Sequence, residues 1–534
     1  MRIFTFDTTL RDGTQGEAIS YSVDDKLVIA QKLDELGIDY IEGGWPGSNP
    51  KDKEFFLRAR DLTFKHARLT AFGATRFAKH RVDEDPSVAA LVEAGTPTIS
   101  IFGKTWDLHV RRALGISLDE NLVLIAETVK YLKDHGKELV YDAEHFFDGY
   151  KTNADYAFRT LEAAHVAGAD VLCLCDTNGG TTTTEIGEIV AAVRQRFDGV
   201  IGIHPHNDSD VAVANALAAV RSGATHVQGC MNGYGERCGN ANLTSIIANL
   251  ELKLGHTTIG AAGLAQLTAV CKFIAELANL PLRSDQPFVG KSAFAHKGGI
   301  HVSAVLKDAK TYEHIVPELV GNHQRVLVSD LAGRSNITYK LKEHGMAGRL
   351  NDEARRVLLE RIKQMEYEGY ELEAAEGTFE LLVREALQPG LHFFDVDRYE
   401  VSTRSSAGGG SETTATVQLH GADGVHQATA TGHGPFNALH VCLRKCLAQV
   451  YPQISDVRLT DYKVRVLDSH TGTAAKVRVL IEWSDNRASW STVGVSDNVI
   501  EASWRALVDA IRLELMRLAE QPRQADAVVA DARA

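Results

Sequence analysis

His204-Pro205-His206 places two imidazoles two residues apart in a run, Val200–His206, that reads as a β-strand. On a strand, residues i and i+2 point to the same side, so both rings can reach one ion. Asn207 and Asp208 follow, and Asp12, just beyond another strand-like run, supplies an anionic ligand. Two imidazoles, a carboxylate and an amide oxygen make a mixed N/O site with open positions, suited to Mn²⁺, Mg²⁺, Co²⁺ or Zn²⁺. A 2-oxo acid can chelate at those positions through its carboxylate and ketone oxygens, and the ion then polarises the ketone.

Arg11, beside Asp12, is the cation for an alkoxide formed when that ketone is attacked. A plain ion pair with Asp7 or Glu42 is the structural alternative. Glu144 ends an otherwise apolar run, where a partly desolvated carboxylate can handle protons. A structural partnership with Arg11 is its alternative.

Eight β-rich runs position these groups: Ile3–Asp7, Tyr40–Gly43, Leu69–Gly73, Thr98–Phe102, Leu139–Glu144, Val171–Asp176, Val200–His206 and His226–Cys230. Helix-like stretches such as Val23–Leu36 and Asp119–His135 separate them. This alternation predicts an α/β fold, a (β/α)8 TIM barrel. The turn after the first run, Asp7-Thr8-Thr9-Leu10-Arg11-Asp12-Gly13, lacks the glycine fingerprint of an open dinucleotide-binding sheet. Polar residues gather at the C-terminal ends of the runs, the face on which such barrels build active sites.

A chain of 534 residues is too long for one core. Its net charge of −13 argues against a nucleic-acid partner. No apolar run approaches the ~20 residues of a membrane span, and no secretory leader is legible, so a cytoplasmic location is expected. The seven cysteines form no CxxC pair, and Cys173 and Cys175 read as reduced thiols in a strand interior.

Three motifs then carry a resemblance. They are Asp7-Thr8-Thr9-Leu10-Arg11-Asp12-Gly13-Thr14-Gln15, His204-Pro205-His206-Asn207-Asp208, and Gly233-Tyr234-Gly235-Glu236-Arg237-Cys238-Gly239-Asn240. Together they resemble the family of 2-isopropylmalate, homocitrate and citramalate synthases, within the DRE-TIM metallolyases. Glu42-Gly43-Gly44-Trp45-Pro46-Gly47-Ser48-Asn49-Pro50-Lys51-Asp52 looks like the citramalate-forming branch. The resemblance implies that Asp12, His204 and His206 hold the metal, with Asn240 as a ligand or just behind. It places Asp7 and Glu42 behind the ligands, makes Glu144 the catalytic carboxylate, and sets Arg11 and Thr177 on the 2-oxo acid. His301, in Gly299-Ile300-His301-Val302-Ser303, and Tyr312 would serve the acetyl-CoA chemistry. Ser303 stands where the family carries an acidic residue.

The implied activity is an acyltransferase that condenses acetyl-CoA with pyruvate, the acyl group becoming alkyl on transfer, in isoleucine biosynthesis. Ile101 and Phe102, with Phe72, are expected to wall a pocket for pyruvate. The alternative is condensation with 2-oxoisovalerate, towards leucine. A lyase of the same superfamily and a catalytically dead amino-acid sensor are the more distant readings.

The division expected is a catalytic barrel at 1–270, helical linker subdomains at 271–374, a regulatory domain at 375–525 and a tail at 526–534. Phe379–Ala386, Thr413–Leu419, Val425–Thr431, Val457–Val466 and Lys476–Trp483 read as strands interrupted by two helices, an α+β domain with a ββα repeat. It resembles the family's regulatory domain, which implies a homodimer and an amino-acid effector, isoleucine by the pathway. The glycine-bearing loops at Gly432 and Gly434, and at His470 and Gly472, are the expected effector contacts.

Overall fold

The computed structural model describes residues 1–520, apart from 329–331, 347, 407–408, 449, 453, 455–456 and 486–487. The expected tail at 526–534 lies outside the described residues. The chain divides into two compact units, Met1–Phe294 with Glu313–Gln324, and Ala295–Tyr312 with the described residues from Arg325 onward.

The first unit is a closed eight-stranded parallel barrel in sequential order. Its strands are β1 (Phe4–Asp7), β2 (Tyr40–Gly44), β3 (Arg68–Ala74), β4 (Thr98–Lys104), β5 (Glu138–Glu144), β6 (Val171–Asp176), β7 (Val200–Pro205) and β8 (His226–Gly229). The seam closes in register, Phe4 against His226 and Asp7 against Gly229. Local chemistry sets the helix ends. Ser22 and Asp25 form a capping box at the start of helix Val23–Leu36, and Gly37, at φ 95°, ends it. Asn49 caps helix Pro50–Ala59, which opens on a proline.

Alternate strand residues face opposite ways. Ile41, Leu69, Ile99, Ile101, Leu139 and Leu172 pack outward in the layer shared with the helices. Phe6, Tyr40, Val140, Val171 and Cys173 form a separate buried cluster. The polar residues Ser100, Asp142, His204 and Gln228 are also buried and bond to one another.

In the second unit, β9 (Ala295–His296) pairs with β10 (Arg325–Val326). Helices Arg334–Glu343, Asp352–Glu368 and Glu376–Leu387 follow. The last of these corrects the strand expected at Phe379–Ala386. Glu, Leu, Arg and Ala favour a helix, and Phe379, Leu381 and Val383 are buried on it. Two antiparallel sheets complete the unit, β11 (Phe394–Ser406), β12 (Gly409–Gly421) and β13 (Gly424–Gly432), then β14 (Arg458–Val466), β15 (Val477–Ser484) and β16 (Ser489–Ser496). Helix Pro435–Leu447 follows the first sheet and helix Val499–Glu520 the second. The repeat is therefore βββα, one strand more than the ββα expected. β11 went unread because it mixes polar and apolar residues along a half-exposed edge, and β16 because Ser, Thr and Gly interrupt its apolar residues. Among the described residues, no helix is long and apolar enough to cross a membrane.

Candidate active site

Asp12, in the turn after β1, meets the two histidines of β7. Its Oδ2 lies 3.1 Å from His204 Nε2 and 4.0 Å from His206 Nε2. All three residues are buried and their ligand atoms cluster within 4.8 Å. Burial favours neutral groups here, but Arg11 and the two imidazoles outweigh it and hold the Asp12 carboxyl well below the usual range. Burial and the neighbouring His204 push His206 down to about 3, so this ring is neutral at pH 7 and free to act as a ligand.

A buried chain behind His204 fixes its tautomer. Ser100 Oγ donates to Asp142 Oδ2 at 2.5 Å, Gln228 Nε2 donates to Asp142 Oδ1 at 2.9 Å, and His204 Nδ1 donates to Gln228 Oε1 at 2.6 Å. An amide oxygen only accepts, so Nδ1 carries the hydrogen and Nε2 is turned to Asp12. Burial depresses His204, yet the Asp12 carboxylate prevails and raises the ring above the ordinary histidine range. A divalent cation would take the place of the proton on Nε2. Asn240 gives a second sign of fit. Its Nδ2 donates to Cys230 Sγ at 3.2 Å, while its Oδ1 is buried without a partner. Asn240 also bridges His206 through the backbone. Two neutral-capable imidazoles, a carboxylate and an orphaned amide oxygen fit a divalent ion.

Arg11 forms the ion pair with Glu42 expected as its structural alternative, and it also lines the cavity. Its Nε donates to Glu42 Oε2 at 2.6 Å, and a second nitrogen lies 3.2 Å from Asp12. Its guanidinium also lies over the Phe72 ring, 3.7 Å from the centroid. Burial pushes the Glu42 carboxyl up to about 7 against the pull of Arg11. Asp7 departs from the expectation that it backs the metal ligands. It accepts from Thr9 N at 3.0 Å and from Thr9 Oγ1 at 2.8 Å, and Thr9 Oγ1 accepts in turn from Met231 N at 2.9 Å. These bonds tie β1 to the loop after β8, a seam contact rather than a ligand contact.

A cavity of about 230 Å³ opens over this cluster. Arg11, Asp12, His204, His206, Glu144 and Thr177 line it, with Phe72, Phe102 and Trp45 as its aromatic wall. Ile101 is not part of that wall. It is fully buried in the outward layer, because it sits one residue out of phase with Phe102 on β4.

Glu144 pairs with Lys104, the last residue of β4, rather than with Arg11. Thr177 Oγ1 accepts from the backbone N–H of His145 at 2.9 Å, which leaves its own hydroxyl hydrogen free to be donated. His145 holds a left-handed backbone, φ 57°, and its ring pairs with Asp148 at 3.2 Å. Lys104, Asp142, Gln228, His145 and Trp45 were not singled out from sequence. Asp142 did carry a signal, since it lies two residues before Glu144 at the mouth and shares its side of the strand.

His301 and Tyr312 lie in the second unit. Their rings are 4.3 Å apart, with His301 on the short helix Gly299–Val305. Ser303 lines a separate open cavity with Lys307 and Thr311. Gly432 and Gly434 form the turn from β13 into helix Pro435–Leu447, and Asn437 Oδ1 accepts there from His433 N at 3.1 Å. His470 and Gly472 lie in the connection between β14 and β15, where Gly472 adopts φ 61°. The two loops belong to different sheets. All seven cysteines are free thiols, and only Cys238 is exposed.

Three family descriptions match the chain: HMGL-like over residues 2–271, homocitrate synthase post-HMGL domain-like over 288–369, and LeuA allosteric (dimerisation) domain over 373–514. The chain is 53% identical over 523 residues to the (R)-citramalate synthase of Aquifex aeolicus (strain VF5), spanning 97% of this chain and 99% of that one. It is 51% identical over 518 residues to the (R)-citramalate synthase of Geobacter sulfurreducens, 96% of this chain and 98% of that one. Identity falls to 31% over 531 residues, 98% and 99% of the two chains, for the probable 2-isopropylmalate synthase of Methanopyrus kandleri.

Proposed function

The chain belongs to the HMGL-like family and, within it, to the (R)-citramalate synthases, and from that premise we propose the reaction its barrel performs. Acetyl-CoA, pyruvate and water give (R)-citramalate and CoA. The observation that carries this reading is the buried Asp12–His204–His206 cluster under a small, aromatic-walled cavity.

Asp12, His204 and His206, with Asn240 beside them, would hold a divalent ion, which would supply a Lewis acid for the ketone. The mixed N/O donors admit Mn²⁺, Mg²⁺, Co²⁺ or Zn²⁺. Arg11, braced by Glu42 and resting on Phe72, faces the cavity as the cation for the alkoxide. Thr177 offers its free hydroxyl hydrogen to the pyruvate carboxylate. Glu144 is the carboxylate placed to move a proton at the mouth. The acetyl methyl loses a proton, its carbon bonds to the ketone carbon, and the alkoxide takes up a proton. Water then cleaves the thioester, which makes the sequence irreversible. His301 and Tyr312, whose rings lie 4.3 Å apart, are assigned to the acetyl-CoA side by the resemblance to the family.

Catalysis is assigned to residues 1–270, the linker role to 271–374, and regulation to 375–525. The LeuA allosteric (dimerisation) match supports a homodimer under allosteric control, and the proposed effector is the amino acid downstream of citramalate, isoleucine. The glycine loops at Gly432 and Gly434, and at His470 and Gly472, are its proposed contacts.

Release of free CoA thiol from acetyl-CoA, with pyruvate or 2-oxoisovalerate, tests the reaction. Pyruvate-dependent release with the higher kcat/KM supports it. Higher kcat/KM with 2-oxoisovalerate reassigns the chain to 2-isopropylmalate synthesis.

A further inference from the structure

Trp45 lines the cavity, yet strand alternation would point it away. Glu42 faces inward to Arg11, so on a regular pleat Gly44 would share that side and Trp45 would face the helices. The pairing of β2 with β3 slips between Glu42 and Gly44, a bulge that reverses the phase and turns Trp45 to the mouth. Both glycines are needed for it. A Cβ on Gly43 would collide with the Phe55 ring, and Gly44, at φ 150°, lies against the Asp52 carboxylate.

The backbone that carries the indole is held as well. Trp45 N donates to Asp52 Oδ2 at 2.9 Å. Asp52 is itself gripped by the buried ammonium of Lys26, which also donates to Gly43 O at 3.0 Å. In front, Trp45 meets Phe72 and Phe102 edge-on, each with centroids 5.7 Å away, while those two rings stack at 5.6 Å. Three rings in such contact form a wall that yields little. Phe72 carries Arg11 on its face, so altering it would disturb the alkoxide cation too. No such contact ties Trp45 to Arg11 among those the structure records.

We infer that Trp45, re-aimed by the Gly43–Gly44 bulge and locked against Phe72 and Phe102, sets the largest 2-oxo acid side chain the cavity admits. This rests on the condensation proposed above and deepens it. A methyl fits within the wall, and the isopropyl group of 2-oxoisovalerate meets steric refusal. A missing ring on the wall should be worth at least the ~10-fold that small differences in a fixed apolar pocket command.

The test is the ratio of kcat/KM for 2-oxoisovalerate to that for pyruvate, measured on the full-length enzyme with its metal. Trp45→Ala should raise the ratio by at least ~10-fold, and Trp45→Phe by less than ~3-fold. Circular dichroism melting checks folding, and Trp45→Leu serves where Trp45→Ala does not fold. An unchanged ratio, or equal losses with both acids, overturns the inference and leaves the reaction standing. A wild type that itself prefers 2-oxoisovalerate overturns the reaction.

Discussion

Lys104 and Glu144 stand opposite each other in register on β4 and β5, and the ammonium of one meets the carboxylate of the other at the rim of the cavity. The pair frees Arg11 for Glu42 and for the substrate, so the two cations at the mouth have separate partners. Glu144→Gln keeps the shape and removes the basic oxygen. It should lower kcat by ~10²–10⁴ with little change in KM for pyruvate. Lys104→Met should lower kcat less. Steady-state kinetics on both variants decide it, and an unchanged kcat in Glu144→Gln makes the pair structural.

Chelation of the ion should abolish condensation, and a divalent cation should restore it. His204→Ala should not be restored at the same metal concentration. Gln228→Leu leaves every ligand in place but removes the acceptor on His204 Nδ1. Its metal affinity should fall by ~10–100-fold, read by calorimetric titration of the metal-free protein. Wild-type affinity in that variant would mean that packing alone orients the ring.

His226 offers a pH test. It is buried against Phe6 and Tyr40, and burial, then the nearby His204, depress it to about 3 from an ordinary 6.5. The unfolded chain takes up a proton below the ordinary value while the folded one does not, so this group removes stability as pH falls from about 6.5 towards 3. Relative to His226→Phe, the wild type should lose about 1.4 kcal/mol per pH unit in that window. Melting temperatures of both proteins between pH 7 and 5 measure the difference, and parallel curves would refute it.

Isoleucine should inhibit the wild type in initial-rate titrations, and leucine and valine should do so less. Gly472→Asp forces a side chain onto a backbone at φ 61° and should blunt inhibition without lowering the uninhibited rate. If none of the three amino acids changes the rate or binds by calorimetry, the domain serves dimerisation alone.

The barrel was legible because eight apolar runs alternate with helix-like stretches and most of the runs end at a recognisable polar group. The metal cluster was legible for a related reason, the two-residue spacing of His204 and His206. What the pattern hid follows from phase. Ile101 and Phe102 are adjacent, so only one can face the cavity, and composition does not say which. Trp45 was hidden by a bulge that alternation cannot anticipate. Lys104 resembles any surface lysine until its register against Glu144 is known. Asp7 looked like a ligand's neighbour because it shares a motif with Asp12, but its bonds run to Thr9. In the second unit, Phe379–Ala386 has the apolar content of a strand, but its Glu, Leu, Arg and Ala residues favour the helix it forms.

The Asp7–Thr9–Met231 tie also sets an order in time. Thr9 and Met231 are 222 positions apart, so the latch cannot form until nearly the whole barrel has been synthesised. Until then β1 has no β8 beside it, and its barrel edge stays open. Contacts of such separation fold slowly and leave strand edges open meanwhile. The nascent chain therefore passes through a stage in which β1 is made but unlatched, and the catalytic centre is among the last parts of the barrel to exist.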